Sequence, residues 1–303
     1  MGSEIGDKKY KSENYYFRVI KYAILQLVAA ALVILWLIPL YALFIGGLKS
    51  NIAAASTPAL LPPSKPSGEA FYFVWHGFGG IYGLIGLEYP LIREALIALP
   101  VAALATLLGT MGAYFFYIIM DRHYILSTIG FAIISLATYL PIETTTVPLI
   151  QIVSSLHIYN TYYGVIFAYF MFYTPMAALL MSIFMPSIPK YLLEAAKIDG
   201  SNDWIVFWKV MMPLLVPGFL STFIFTFLEI WNNFFIPILL VSNPNLMLLS
   251  IGVRQYAGGY AIIYNRSFAA GVIGSIVPLV IFILLGRYFI RGLAALGGGA
   301  KGI

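Results

Sequence analysis

The side chains that could do chemistry in this chain are few, and six of the 29 charged ones fall within residues 190–209. Charged residues make up 10% of the 303 residues, whereas a soluble domain typically has about a quarter. Carboxylates and ammonium groups can form charge-assisted hydrogen bonds with a partner protein, so one hypothesis for this segment is a docking surface. The charged residues of the segment are Lys190, Glu194, Lys197, Asp199, Asp203 and Lys209.

A second group of polar side chains lies inside long apolar stretches. Glu143 and Glu229 are carboxylates of this kind, and Asn232 and Asn233 follow Glu229 by about one helical turn. An ionised carboxylate within lipid is costly and usually faces a cavity or a partner. For Glu143, lining of a solute pathway and hydrogen bonding between helices are equally open. For Glu229, Asn232 and Asn233, hydrogen bonding between helices is the favoured interpretation over contact with sugar hydroxyls.

Catalysis by this chain itself is not predicted. The sequence has no G-x-x-x-x-G-K-[ST] phosphate loop, no pairing of a nucleophile with a base, and no cysteine. The histidines His76, His123 and His157 do not have metal-ligand spacing. We therefore expect no enzyme activity, no cofactor and no metal site in this chain.

The composition predicts an all-α polytopic membrane protein. Hydrophobic residues make up 61% of the chain, and the net charge of +5 is scattered between apolar runs rather than clustered, which argues against a nucleic-acid partner. About 20 mostly apolar residues cross a bilayer as a helix. The first such run is too long for a cleaved signal peptide, so we expect it to be retained. The six predicted spans are Tyr22–Gly47, Ala95–Met120, Ile125–Val153, Tyr163–Met185, Leu214–Val241 and Ala269–Ile290.

The distribution of Lys and Arg predicts the orientation. Twelve of these residues fall on the side of the two termini and five on the other side. Because cytoplasmic loops carry the excess of positive charge, both termini are expected in the cytoplasm. The predicted organisation is a cytoplasmic segment 1–21, a first span 22–47, an extracytoplasmic loop 48–94 rich in Pro, Gly and aromatics, a core 95–290 with a cytoplasmic loop at about 186–213, and a cytoplasmic tail 291–303.

The cytoplasmic loop is predicted to form two short helices joined at a glycine. It contains PSIPKYLLEAAKIDGSNDWIVFWKVMMP, with Ser187 as a candidate N-cap and Pro189 in the first helical turn. Gly200 allows the left-handed backbone that ends a helix, and a second helix can begin near Ser201. The pattern alone leaves open a knob that docks on a partner protein and a helix pair that lies on the lipid surface. The predicted apolar face comprises Ile188, Leu192, Ala195 and Ile198.

The same loop resembles the EAA motif of permease subunits of ATP-binding-cassette importers. In that motif E-A-A is followed by three residues, G, nine residues, I, one residue and L-P. Val210 and Met212 replace the isoleucine and the leucine of the motif. The matching positions, with the Asp that commonly precedes the glycine, are Glu194, Ala195, Ala196, Asp199, Gly200 and Pro213.

The resemblance extends from the second span to the end of the chain. The chain is similar to the MalG-like carbohydrate branch of the binding-protein-dependent transport inner membrane component family, although residues 1–94 match in type only. The C-terminal stretch 287–302 also looks like that branch. The residues that carry the likeness are Pro141, Pro148, Leu149, Asn160, Thr161, Gly164, Pro175, Phe184, Ser187, Ile188, Pro189, Trp231, Asn232, Asn233 and Phe234.

The resemblance implies a fold, a function and a set of partners. It implies the type I permease fold of these importers, with a MalF-like second permease subunit, two copies of an ATPase that binds ATP and Mg²⁺, and an extracytoplasmic solute-binding protein. Glu194 would contact a basic residue of the ATPase, Ala195 and Ala196 would keep the helix thin, and Gly200 would make the turn.

The substrate implied by the resemblance is a sugar or an oligosaccharide, and two alternatives remain open. The first is the same machine importing a polyol, an amino acid or a peptide. The second is a secondary transporter driven by an ion gradient, with Glu143 as the coupling carboxylate.

Overall fold

In the computed structural model, the backbone is described for residues 2–77, 85–119, 123–258 and 263–298, and side chains from residue 17 to 290 within those ranges. Met120, Arg122 and the end of the predicted tail, 299–303, lie outside the described residues. The described part of the chain is helical and contains no strand. Its helices are α1 (Gly2–Leu48), α2 (Asn51–Ser56), α3 (Glu69–His76), α4 (Glu88–Ile119), α5 (Tyr124–Thr138), α6 (Thr146–Ser155), α7 (Tyr162–Phe184), α8 (Lys190–Ile198), α9 (Asp203–Val206), α10 (Met212–Asn232), α11 (Phe235–Leu240), α12 (Leu249–Ala257) and α13 (Tyr264–Gly298).

The predicted fold class, an all-α protein with about six membrane spans, is confirmed. A sixth span results if the residues from Tyr124–Thr138 and Ile142–Ser155, which bend by 94° at their junction, count as one. The five continuous helices that are long and apolar enough to cross a bilayer are Phe17–Leu48, Glu88–Ile118, Tyr162–Ser187, Asp203–Asn232 and Tyr264–Ile290.

The third predicted span is not one straight helix. Helix α5 ends at Thr138, and a 3-10 turn at Ile142–Thr145 leads into α6. Pro141 lies between them with an extended backbone. Proline has no N–H for the helix ladder and disfavours helical backbone in the residue before it, which accounts for the break.

The fifth predicted span also ends earlier than expected. Helix α10 ends at Asn232 rather than Val241, because Asn233 has an extended backbone with ψ of 113°. The side-chain Oδ1 of Asn233 accepts the N–H of Ile236 at 2.9 Å and so starts the separate helix α11. An Asn side chain that binds a backbone N–H two or three residues ahead is a common way to begin a new helix.

Residues 1–72 and 263–272 form one compact unit. The predicted loop 48–94, rich in Pro, Gly and aromatics, begins here and contains α2, α3 and the first turns of α4. Lys49 is buried in this unit, and its Nζ donates to Thr57 Oγ1 at 3.0 Å and to the Pro58 carbonyl at 2.8 Å. These bonds satisfy the buried ammonium group and hold the start of the loop against the end of α1.

Residues 73–262 and 273–303 form the second unit, whose centre is the packing of α4, α7 and α10. Gly109 of α4 lies so close to α7 that a Cβ there would be 2.6 Å from the Ala178 nitrogen and 2.7 Å from the Ala177 Cβ. Small residues at such a crossing let two membrane helices approach closely. Helix α4 is long enough that one of its ends lies near the start of α9 and the other near the start of α12.

Candidate coupling site and membrane-facing polar residues

Helix α8 begins one residue after a proline. Pro189 occupies the N-cap position with an extended backbone, and the first helical residue is Lys190. The prediction that Ser187 caps this helix is wrong. The Ser187 hydroxyl donates to the Phe184 carbonyl at 2.6 Å, because Ser187 belongs to a 3-10 turn that ends α7.

Gly200 ends α8 as predicted. Its φ is +77°, in the left-handed region. The N–H of Gly200 donates to the Lys197 carbonyl and the N–H of Ser201 to the Ala196 carbonyl, both at 3.0 Å. This pair of bonds is the Schellman motif, which satisfies the last carbonyls of a helix and requires a residue that tolerates positive φ.

The predicted second helix follows directly. It begins at Asp203, where Asn202 is the N-cap and its Oδ1 accepts the Ile205 N–H at 2.9 Å. Helix α9 then continues into α10 through a wide turn of π type at Phe207–Met211. Pro213 stands just after that turn, at the start of α10, and is exposed. A wide turn lets the chain accommodate a proline that would otherwise clash with the carbonyl one turn earlier.

The predicted apolar face of α8 is partly wrong. Ile188 and Leu193 are buried, and Leu192 and Ala196 are partly buried against the same core. Ala195 is exposed instead, and Ile198 is 86% exposed. On α8 the core contacts are therefore made by Leu192, Leu193 and Ala196, and not by Ala195 and Ile198.

The side of α8 that faces away from the core presents a continuous row of residues, which we call the exposed stripe. It consists of Tyr191, Glu194, Ala195 and Ile198, spaced so that they share one face of a helix. Tyr191 is 66% exposed. A stripe of apolar anchors at positions i, i+4 and i+7 with one carboxylate is the pattern of a helix that docks into a groove of a partner.

Helices α8 and α9 are seated on the ends of α4 and α7 by apolar packing. The rings of Tyr114, in α4, and Phe207 lie 5.2 Å apart, and the Tyr114 hydroxyl donates to the Asp203 carbonyl at 3.2 Å. The buried cluster here comprises Ala113, Tyr114, Met181, Phe184, Met185, Ile188, Leu193, Val206, Phe207, Met211 and Leu215.

Charge adds one contact between the two short helices. Lys197 Nζ lies 3.8 Å from Asp203 Oδ1, with both side chains substantially exposed. Asp199 is the C-cap of α8 and is exposed. An exposed pair of this kind contributes about 0.2–1 kcal/mol, so the seat depends on packing far more than on charge.

Glu143 does not lie in the middle of a straight span. It is in the 3-10 turn at the bend between α5 and α6, where it is exposed. The Thr146 hydroxyl donates to the Glu143 carbonyl at 2.8 Å. The Glu143 side chain is therefore exposed at the break between α5 and α6.

The three polar residues near the end of α10 divide into two kinds. Glu229 and Asn232 are exposed, three positions apart on one face. Asn233 is partly buried, where its Nδ2 donates to the Tyr173 hydroxyl at 3.0 Å and its Oδ1 accepts from Ile236. Hydrogen bonding between helices therefore describes Asn233, whereas Glu229 and Asn232 face away from the core.

Two further polar residues lie at the opposite end of α4 and were not among the predicted site residues. Glu94 is fully buried, and its Oε2 accepts the N–H of Leu249, the first residue of α12, at 3.1 Å. Asn160 accepts the N–H groups of Ser242 and Asn243 with its Oδ1 at 2.9 and 3.0 Å. Asn160 was visible in sequence only through the family likeness, and Glu94 gave no signal because it stood at the predicted edge of a loop.

No group of three His, Asp or Glu side chains that could hold a metal ion occurs within the described ranges.

The five or six described helices that are long and apolar enough to cross a bilayer define the class of protein: a multi-pass membrane protein. The chain belongs to the binding-protein-dependent transport system inner membrane component family, whose model matches residues 92–295. It is a permease subunit of an ATP-binding-cassette importer, and the family in general works with a partner permease, an ATPase and a binding protein.

Individual relatives agree with this assignment. The glucose import system permease protein GlcU of Saccharolobus solfataricus is 47% identical, and the match covers 94% of this chain and 98% of GlcU. The sn-glycerol-3-phosphate transport system permease protein UgpE of Yersinia pestis is 28% identical over 86% of this chain and 92% of UgpE.

The fold also matches a solved structure. A chain from the crystal structure of a bacterial ABC transporter that imports the acidic polysaccharide alginate matches with a TM-score of 0.69 and 19% identity. The match covers 88% of this chain and 96% of that one.

Proposed function

We propose that this permease forms half of the pathway through which a sugar or an oligosaccharide is imported, and that α8 couples it to a separate ATPase. Its partners are a MalF-like second permease subunit, two copies of the ATPase and an extracytoplasmic sugar-binding protein. ATP and Mg²⁺ are bound by the ATPase, and this chain has no ATPase site of its own.

The exposed stripe of α8 is the observation that carries the coupling role. Tyr191 and Ile198 expose large apolar surfaces beside Glu194, and exposed apolar patches on a compact knob mark interaction sites. Movement of the ATPases on binding ATP would be passed to the bundle through this knob. The alternative, a helix pair that lies on lipid, is less well supported because Glu194 lies within the stripe.

The orientation follows from the charge distribution. The excess of Lys and Arg on the side of the termini supports a cytoplasmic position for α8 and both termini. The α12 end of the second unit then faces outward, where the binding protein delivers its ligand. This assignment rests on the bias of twelve to five in the sequence.

A sugar is the favoured substrate because the relative with 47% identity over nearly its whole length is a glucose import permease. Glu229 and Asn232, which face away from the core, are the candidate pathway residues, together with Glu143 at the bend. The 28% identity to a glycerol-3-phosphate permease supports a polyol or its phosphate as the second candidate. Binding of a panel of sugars and polyols to the cognate binding protein, followed by uptake into proteoliposomes, distinguishes the two.

Gly200 provides the sharpest test of coupling. Gly200→Ala should reduce ATP-dependent uptake about tenfold, since an L-residue at this positive φ costs about 1–2 kcal/mol and re-aims the end of α8. Gly200→Asn should retain most of the uptake, because Asn tolerates the left-handed region. No atom outside the local backbone lies within 4 Å of a Cβ built at Gly200, so the comparison isolates backbone conformation from crowding.

The measurement is uptake of labelled ligand by the reconstituted complex, with co-purification of the ATPase as the check on assembly. Equal uptake by the Ala variant and the wild type, with the ATPase bound, would contradict the proposed coupling role. Uptake by the chain alone, without ATP, would contradict the importer assignment and favour an ion-coupled transporter.

A further inference from the structure

A buried carboxylate in α4 holds the beginning of α12. Glu94 is fully buried, and its Oε2 accepts the Leu249 N–H at 3.1 Å. The N–H of Ser250 also faces this carboxylate. Its other oxygen, Oε1, is buried with no hydrogen-bond partner among the described residues. A carboxylate buried at such a cost in a membrane protein usually has a role beyond packing.

The segment that leads into α12 is fastened at its other end as well. Asn160 has a φ of +55°, and its N–H donates to the Leu240 carbonyl at 3.1 Å while its Oδ1 accepts two N–H groups at 242 and 243. Arg93, next to Glu94, places its Nη1 3.5 Å from the Met247 carbonyl. Residues 241–249 are thus fixed to the ends of α4 and α7 by side-chain-to-backbone bonds at both ends.

The same helix α4 reaches the coupling knob at its other end. Tyr114 donates to the Asp203 carbonyl at 3.2 Å and packs against Phe207. Glu94 and Tyr114 are separated by twenty residues of one helix, which corresponds to about 30 Å at 1.5 Å per residue. One continuous helix therefore carries a polar attachment to α12 at one end and a polar attachment to the α8–α9 knob at the other.

We propose that α4 is a strut between the binding-protein side and the ATPase side of the permease, with Glu94 and Tyr114 as its positioning residues. This inference rests on the proposed function, because it assumes that the binding protein acts at the α12 end and the ATPase at the α8 end. Docking against α12 shifts α4 through the Glu94 cap, and α4 shifts the knob through Tyr114. An element with two attachment points transmits a change only while both attachments are intact.

The first experiment compares three variants in the reconstituted complex of both permeases, the ATPase and the binding protein. Glu94→Ala should lower the initial rate of ligand uptake about tenfold, because the cap on α12 is lost. Glu94→Gln keeps an oxygen acceptor and should stay within about twofold of wild type. Glu88→Ala, which removes a partly exposed carboxylate six residues earlier on α4, is the matched control and should leave uptake unchanged.

A readout other than folding separates positioning from a general loss of stability. ATP hydrolysis without binding protein should be the same in all three variants, while the binding-protein concentration that gives half-maximal stimulation should rise about tenfold in Glu94→Ala alone. Equal half-maximal concentrations in Glu94→Ala and wild type would overturn the proposal. A Gln variant as defective as the Ala variant would also overturn it, since the acceptor would then be irrelevant. If Glu94→Ala does not assemble, Tyr114→Phe alone is measured by the same readout, and a half-maximal binding-protein concentration and an uptake rate equal to those of wild type would overturn the proposal.

The second experiment tests whether the two attachments act as one element. Tyr114→Phe removes only the hydroxyl and keeps the ring packed on Phe207, so uptake should fall about fivefold. If α4 is the strut, the double variant Glu94→Ala with Tyr114→Phe should lose about tenfold, no more than the Glu94 variant alone. If the two sites acted independently, their effects would multiply to a loss of uptake of about fiftyfold, and that result would overturn the strut. A wild-type complex that shows no stimulation by binding protein would instead overturn the proposed function.

Discussion

The α8 end and the α12 end of the second unit are each stabilised by a different kind of contact. At the α8 end, helices α8 and α9 rest on a cluster of buried apolar side chains, with the exposed stripe facing outward. At the α12 end, Glu94 and Asn160 bind backbone N–H groups that lie 155 and 82 or 83 positions away in sequence. The first end is held mainly by packing, with the hydrogen bond from Tyr114 to the Asp203 carbonyl added, and the second by directed hydrogen bonds.

This difference matches what each end has to do. Apolar packing is non-directional, so a knob seated by it can tilt while it stays buried. Hydrogen bonds between a side chain and a distant backbone fix both position and register, because their strength falls steeply with misalignment. We infer that the α8 end tolerates the movement imposed by an ATPase, whereas the α12 end keeps a defined surface for the binding protein.

Removing an apolar anchor of the knob should have the largest effect. Phe207 is 2% exposed and packs against Tyr114 and Trp204. Phe207→Ala should cost about 3–5 kcal/mol of local stability, from lost burial and the cavity left behind. We expect the ATPase to be lost from the purified complex, while affinity for the binding protein, measured by surface binding, stays within about twofold because the Glu94 cap on α12 is left intact.

The matched control for this variant is Trp208→Ala. Trp208 is the next residue, also contacts Phe207 through its ring, and is 38% exposed. Trp208→Ala should lower local stability by less than half as much as Phe207→Ala, and the ATPase should stay bound. If Phe207→Ala weakens binding of the binding protein as strongly as binding of the ATPase, the two ends are not separately stabilised.

Breaking the directed bonds of the α12 end should have an intermediate effect. Asn160→Ala removes two hydrogen bonds and replaces Asn by a residue that tolerates a φ of +55° less well, so it should lower the free energy of unfolding by about 2–3 kcal/mol. In Asn160→Gly the glycine adopts the positive φ readily, so the free energy of unfolding should fall by about 1–2 kcal/mol, from loss of the two hydrogen bonds alone. Asn160→Asp keeps the acceptor oxygen and should be nearly neutral.

The unfolding midpoint of the purified complex in detergent should rank the Asn160 series in that order, and affinity for the binding protein should follow the same order. ATPase co-purification should be unaffected throughout. An Ala variant that matches the Gly variant would show that the backbone strain is unimportant, and a neutral Gly variant would show that the clamp does not fix this end.

The sequence predicted those parts of the structure that depend on local patterns. Five of the six apolar runs are continuous helices near the predicted positions, because a run of about 20 apolar residues has few alternatives in a bilayer. Gly200 was predicted as the end of α8 because the left-handed turn it forms is set by a single residue. Pro141 predicts a kink in the third span, but not the bend of 94° that divides it into two helices, because a proline is tolerated inside a membrane helix when neighbouring groups satisfy the freed backbone.

What the sequence could not predict depends on contacts between distant residues. The buried face of α8 is set by the shape of its seat on α4 and α7, so Leu193 rather than Ala195 points inward. The role of Glu94 requires α12 to be near α4, and no local pattern at position 94 reports that proximity. Asn233 likewise becomes a structural residue only because Tyr173 lies within hydrogen-bonding distance.

The smallest effect should come from the ion pair at the α8 end. Lys197 and Asp203 are 3.8 Å apart with side chains 38% and 60% exposed. Lys197→Met keeps most of the apolar stem and removes the charge, so it should lower the free energy of unfolding by less than about 1 kcal/mol. This loss should vanish in high salt, because solvent ions screen an exposed pair. Uptake measured at low and high ionic strength checks this.

Asp203→Asn is the matched control for the ion pair, because it removes the other charge and leaves the Asp203 carbonyl free to accept from Tyr114. It should match Lys197→Met within about 0.5 kcal/mol at every salt concentration. A salt-insensitive loss above about 1 kcal/mol in either variant would mean that charge, rather than apolar packing, holds the α8 end. The contrast with the hydrogen-bonded α12 end would then be one of degree, since both ends would be fixed by directed polar contacts.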